Sequence, residues 1–165
     1  MMTESRSRIL ADFARVAPAL PGTRVPWLVR ARHAALERFA ERGFPTRRDE
    51  EWKYTDVTAI EKRAFTALPE NLDSAATPAG LGAYPGHRLV FVNGLYSPAH
   101  SSLGRLPAGV VLASLADAIE RSPDRLQPFL GEDGNDHTVF GALNRAFLAD
   151  GLNLCASRLA CQRSH

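Results

Sequence analysis

Phe44-Pro45-Thr46-Arg47-Arg48-Asp49-Glu50-Glu51-Trp52-Lys53-Tyr54-Thr55 is the most information-dense stretch of this chain, and it carries one of only two tryptophans. Pro45 fixes its own φ and pushes Phe44 towards an extended conformation, so Gly43 and Pro45 together end whatever helix comes before. Thr46 with Asp49 three residues on has the spacing of a capping box, with Asp in place of the usual Glu or Gln. Asp49, Glu50 and Glu51 then fall in the first turn of a new element, where the helix dipole favours negative charge. Trp52 and Tyr54 bring large apolar surfaces that are costly to leave wet. The plainest reading is a helix start pinned to a core by two aromatic rings; the alternative is a ligand site.

Working outward towards the N-terminus, Ile9, Leu10, Phe13, Val16 and Ala17 recur at helical spacing behind a cap at Ser5 or Ser7, and Pro18, Pro21 and Gly22 close that helix. Pro26 suits the first position of a second helix, where its missing N–H is no loss. Over 27–42, Leu28, Ala31, Ala35 and Phe39 share one face with Leu36 beside it, and Gly43 sits at the position after the helix end. Arg24, Arg30, Arg32, Arg38, Arg42, Arg47 and Arg48 crowd this quarter, interleaved with Glu37, Glu41 and the acids of the opening stretch. Mixed signs of this kind read as a solvated helix face laced with weak pairs.

Working towards the C-terminus, 56–65 carries Val57, Ile60, Ala64 and Phe65 at intervals that suit a short helix or irregular structure equally. Residues 67–86 are rich in Pro and Gly and read as a linker or long loop. Arg88-Leu89-Val90-Phe91-Val92, then Asn93-Gly94, then Leu95-Tyr96 is a hairpin pattern, because the tight turn needs positive φ at both central residues. Val110-Val111-Leu112 is a third strand candidate. Ser114 caps a helix through Leu115, Ala116, Ala118 and Ile119, closed at Ser122-Pro123, with a further turn or two over 124–130. Gly131 to Asp136 is an acidic turn whose order of ligands does not fit a calcium loop. Val139, Phe140, Leu143, Ala146 and Phe147 mark a last helix started by Asp136 or Thr138, with Gly151 expected just past its end. Asn144 and Asp150 are polar and need partners if buried. Leu152-Asn153-Leu154 begins like a strand.

A chain of 165 residues with 45% hydrophobic and 23% charged residues can bury a core without staples. Its net charge of +2 is too small to point to nucleic acid. No run is long enough to cross a bilayer, and no signal-like apolar core follows the N-terminus, so a cytoplasmic location is expected. Cys155 and Cys161 with His165 match no usual zinc spacing. No nucleophile elbow, phosphate loop or dinucleotide fingerprint is present. Two readings of another class remain: a small hydrolase or transferase whose site is built from His33, His87, His100 and His137, and an RNA-binding module that uses the arginines of 24–48.

Four segments, in order, resemble the SufB/SufD family of SUF iron–sulfur cluster assembly scaffold proteins, and SufD-type subunits in particular. They are Pro45 through Thr55, Leu89-Val90-Phe91-Val92-Asn93-Gly94-Leu95-Tyr96, Gly109 through Leu115, and Ala142 through Gly151. The chain is expected to be α+β, with a helical N-terminal region over 1–66, a linker or loop over 67–86, a small mixed region with a short hairpin and helices over 87–151, and, against the resemblance, a tail over 152–165 that departs from the family pattern. The resemblance implies that the family's β-helix core is absent, so that the chain reads as truncated. It further implies a scaffold and not an enzyme, with SufB- and SufC-like partners, no nucleic acid and no membrane. No cofactor is expected on this chain, and an iron–sulfur cluster is implied only for the full complex. The signature residues expected to serve structure or partner contact are Pro45, Arg47, Asp49, Glu50, Trp52, Lys53, Tyr54, Asn93, Gly94, Asn144 and Gly151.

Overall fold

A computed structural model describes residues 3–64, 85–131 and 138–156. The chain is α+β and divides into two compact units. Unit 1 combines residues 1–68 with 123–148, and unit 2 combines 69–122 with 149–165. Residues 87–151, expected as one region, are therefore shared between the two. The expected 67–86 loop lies outside the described residues except for Pro85 and Gly86.

Unit 1 holds helices α1 (Glu4–Val16), α2 (Pro26–Arg42), α3 (Thr58–Lys62), α5 (Pro123–Leu130) and α6 (Val139–Ala146). The cap of α1 is Thr3, whose hydroxyl accepts from the Arg6 N–H, and not Ser5 or Ser7. Ser5 is instead buried and donates to the Glu61 carboxylate at 2.6 Å, tying α1 to α3. Pro26 opens α2 and Gly43 ends it at φ 70°, as the spacing predicts. α3 resolves the ambiguity over 56–65 in favour of a short helix, and just before it the Asp56 carboxylate accepts from the Thr58 N–H at 2.9 Å. Thr138 caps α6 by accepting from the Gly141 N–H.

The core of unit 1 lies where α2 packs along α6. Ala31 and Ala35 on α2, and Ala142 and Ala146 on α6, are all buried. Side chains this small let two helix backbones approach closely, and Leu28, Phe39, Phe13 and Val16 fill the space on either side. Arg32, expected on a solvated face, is only 3% exposed. Its guanidinium donates to the carbonyls of Pro21 at 2.8 Å and Leu148 at 2.7 Å, fastening the loop before α2 and the chain after α6 to the same helix. Burial lowers its pKa to about 10, so it keeps its charge at neutral pH.

Unit 2 holds strands β1 (Phe91–Val92), β2 (Leu95–Tyr96), β3 (Val110–Ser114) and β4 (Leu152–Ala156), with helix α4 (Leu115–Arg121). β1 and β2 form the expected hairpin, with Asn93 at φ 51° and Gly94 at φ 83°. β3 pairs antiparallel with β4, Val110 opposite Ala156 and Ser114 opposite Leu152. The strand begun at Leu152 therefore continues past the point where its sequence pattern fades. Gly151 is not the residue after α6, since that helix ends at Ala146 with Phe147 as its cap. Gly151 instead leads into β4, and its carbonyl accepts from the Leu115 N–H at 2.7 Å.

Asp150 organises unit 2. One carboxylate oxygen accepts from the Ser114 hydroxyl at 2.9 Å, the Ala116 N–H at 3.0 Å and the Gly151 N–H at 2.8 Å; the other accepts from the Tyr96 N–H at 2.8 Å. One side chain thus joins the hairpin, the start of α4 and the start of β4. Charge-assisted bonds of this type contribute more than neutral ones, and each orphaned donor costs desolvation energy.

Two substitutions test these arrangements. Ala35→Leu inserts three extra carbons into the α2–α6 seam and is expected to destabilise unit 1 by about 1–3 kcal/mol, read as a lowered urea midpoint. Asp150→Ala is expected to cost about 2–3 kcal/mol by leaving several donors unpaired, with loss of amide-exchange protection at Tyr96 and Ala116. Unchanged protection at those two amides would contradict the role given to the carboxylate.

Candidate interaction surface

The signature stretch is mounted on unit 1 by a run of aromatic contacts. Phe39 on α2 meets Phe44 edge-on at 5.3 Å, Phe44 meets Phe140 on α6 at 6.1 Å, and Phe140 meets Trp52 at 5.2 Å. Contacts of this geometry contribute roughly 0.5–1.5 kcal/mol each beyond area burial. Pro45 is buried beneath the turn, while Arg47, Arg48, Asp49, Glu50, Glu51, Lys53, Tyr54 and Thr55 are exposed. The expectation that Tyr54 joins Trp52 in a core is corrected here. Trp52 is half-buried, and Tyr54 is 92% exposed.

The turn is built locally. Asp49 accepts from the Thr46 N–H at 2.6 Å and the Thr46 hydroxyl at 3.1 Å, and the Asp49 N–H donates to the Thr46 carbonyl. The Thr46–Asp49 pair therefore closes the turn before Glu50–Trp52, which form a single 3-10 turn and not the start of a longer helix. Pro45 before it and Asp56 after it leave room for little else. Arg47 reaches Asp56 at 3.3 Å, and Lys53 lies 3.9 Å from Glu50 and 5.7 Å from the centre of the Tyr54 ring. Exposed pairs like these stabilise little and mainly set where the charges sit.

Phe44, Trp52 and Val139 form the apolar wall of a cleft of about 270 Å³, with Arg42, Asp49 and Glu51 among the charged residues around it. The structure thus brings Pro45, Asp49 and Trp52 to one cleft and places Arg47, Glu50, Lys53 and Tyr54 on the exposed turn beside it. Asn144 is exposed on α6 of the same unit, whereas Asn93, Gly94 and Gly151 belong to unit 2 and serve its turn and strand start. Val139 and Phe140 are legible in the sequence as part of a helical stripe. Nothing in their spacing says that they meet Trp52, which lies nearly ninety residues away in the chain.

Each described histidine has its own local contact. His33 packs edge-on against Phe13 in unit 1. In unit 2, the His87 ring accepts from the Gly104 N–H, and the Nδ1 of His100 shares a hydrogen bond with the Ser97 hydroxyl at 2.8 Å. His137 lies outside the described residues. Among the described residues, no group of three or more His, Cys, Asp or Glu is placed to hold a metal ion. Of the arginines read as a possible nucleic-acid stripe, Arg32 is buried against backbone carbonyls and Arg47 is held by Asp56.

These features define a small α+β module whose distinctive surface is a charged turn mounted on packed aromatic rings. The chain belongs to the SufB/SufD family: the family described as SufBD protein N-terminal region matches residues 4–158. An iron–sulfur cluster assembly SufBD family protein of Synechocystis sp. is 31% identical over 131 residues, which are 78% of this chain and 29% of that relative. No solved structure gives a significant match. The family match extends through β4 to residue 158, past residue 152 where a departure from the family pattern is expected from the sequence. No helix among the described residues is long and apolar enough to cross a membrane.

Asp49 supplies a test of the turn. Hydrogen bonds from the Thr46 backbone and then its side chain hold the Asp49 carboxyl below its ordinary pKa of 3.8. A carboxylate depressed in the folded state contributes stability that is complete above the ordinary value and is lost as pH falls through the lower folded value. The Thr46 amide resonance is therefore expected to hold its position down to pH about 4 and to titrate below it. A midpoint at or above the ordinary aspartate value would show that the turn is not closed in solution.

Proposed function

We propose that this chain is the N-terminal part of a SufD-like scaffold subunit that takes part in iron–sulfur cluster assembly through protein–protein contacts. The reading places it in the cytoplasm, beside SufB- and SufC-like subunits. The chain itself carries no cluster and performs no bond-making; the cluster belongs to the full complex. Family membership supports the assembly role.

The observation that carries the contact reading is the contrast within the signature stretch. Its Phe44 and Trp52 pack against Phe39 and Phe140 of unit 1, yet its charged residues and Tyr54 are exposed. An exposed Tyr beside Arg is the composition favoured at protein-binding hot spots.

The test is a pull-down of this chain with the SufB- and SufC-like subunits of its host, beside a full-length SufD-type subunit as a positive control. Retention of either subunit is expected, with loss on Tyr54→Ala. Failure to retain either subunit, when the control retains both, would remove the scaffold assignment for this chain.

A further inference from the structure

We propose that the cleft beside the signature turn seats a short peptide segment of a partner subunit, in which an apolar side chain enters against Phe44, Trp52 and Val139 and an adjacent Lys or Arg meets Glu51. The proposal deepens the scaffold reading by naming the chemistry of the partner, and it depends on that reading only for which protein supplies the segment.

Size and shape come first. At about 270 Å³ the cleft falls below the range of roughly 300–1,000 Å³ usual for small-molecule and cofactor sites. It can hold one or two side chains, with the wall of Phe44, Trp52 and Val139 favouring an apolar one. The aromatic contacts from Phe140 to Trp52 and Phe44 fix the wall before binding, so docking orders little of this chain.

Charge then selects the neighbour of that apolar side chain. Asp49 already accepts two hydrogen bonds from Thr46, Arg42 is engaged within the protein, and Arg47 is held by Asp56. Arg48 is exposed on the turn but does not line the cleft. Glu51 does line it, is exposed, and makes no hydrogen bond or ion pair among the described residues. The group left to be answered at the cleft is therefore a carboxylate, and its complement is a cation. An apolar side chain seated beside it displaces water and strengthens that pair.

The test uses the full chain and synthetic ten-residue peptides with Leu-Arg, Leu-Asp or Ser-Arg at their centre. Binding is read by the fluorescence of Trp52, the half-buried one of the two tryptophans, Trp27 being buried. The Leu-Arg peptide is expected to bind at least tenfold more tightly than either of the others, and less tightly as salt rises. Glu51→Lys is expected to remove most of that preference, and Val139→Arg to block the cleft. Because Glu51 is exposed, its variants retain the fold even if Val139→Arg does not. Equal binding of all three peptides, or none of any, overturns the proposal. In a parallel arm with the host's SufB- and SufC-like subunits, equal retention by wild type and Glu51→Lys overturns the cleft while leaving the scaffold reading intact. Selective binding of the Leu-Arg peptide without retention of either subunit supports the cleft and counts against the scaffold reading.

Discussion

The close approach of α2 and α6 is the constraint on which unit 1 depends. These helices lie about a hundred residues apart in the chain, and each buries an alanine pair at i and i+4. With larger residues at those positions the helices would be held apart. Phe140 would then no longer stand between Phe44 and Trp52, and the turn that carries the family signature would lose its footing. The exposed surface is thus a consequence of the packing beneath it.

Two charged side chains, one buried and one half-buried, complete what apolar packing leaves undone. Arg32 in unit 1 and Asp150 in unit 2 each collect backbone groups from segments that have no secondary-structure partner for them. Both exploit the same physics: a charged group taken out of water is tolerable only when hydrogen bonds replace its hydration. Burial is why Arg32 holds its proton less firmly than usual.

Much of the local structure is legible in the sequence because its causes are local. Pro26 and Gly43 bound α2, Ser114 caps α4 by accepting from the Asp117 N–H, and Asn93-Gly94 turns the hairpin. The apolar stripes of α1 and α2 become their buried faces. Local signals mislead where two of them compete. Thr3, Ser5 and Ser7 can each cap α1; the choice of Thr3 frees Ser5 to bond Glu61, a residue more than fifty positions away. Gly151 has the composition of a helix end but serves a strand, since α6 already stops at Ala146 and β4 begins at Leu152.

Taken by itself, the order of residues determined the family, the α+β class, the hairpin and most helix limits, because capping, φ preference and periodicity act over a few residues. It also singled out the stretch from Pro45 to Thr55. Only the tertiary structure decided that Trp52 is the anchor and Tyr54 the exposed ring, that Arg32 is buried, and that α6 supplies the far wall of the cleft. Each of those outcomes depends on which distant surface a side chain meets when the chain closes on itself, and periodicity along the chain carries no record of that distance.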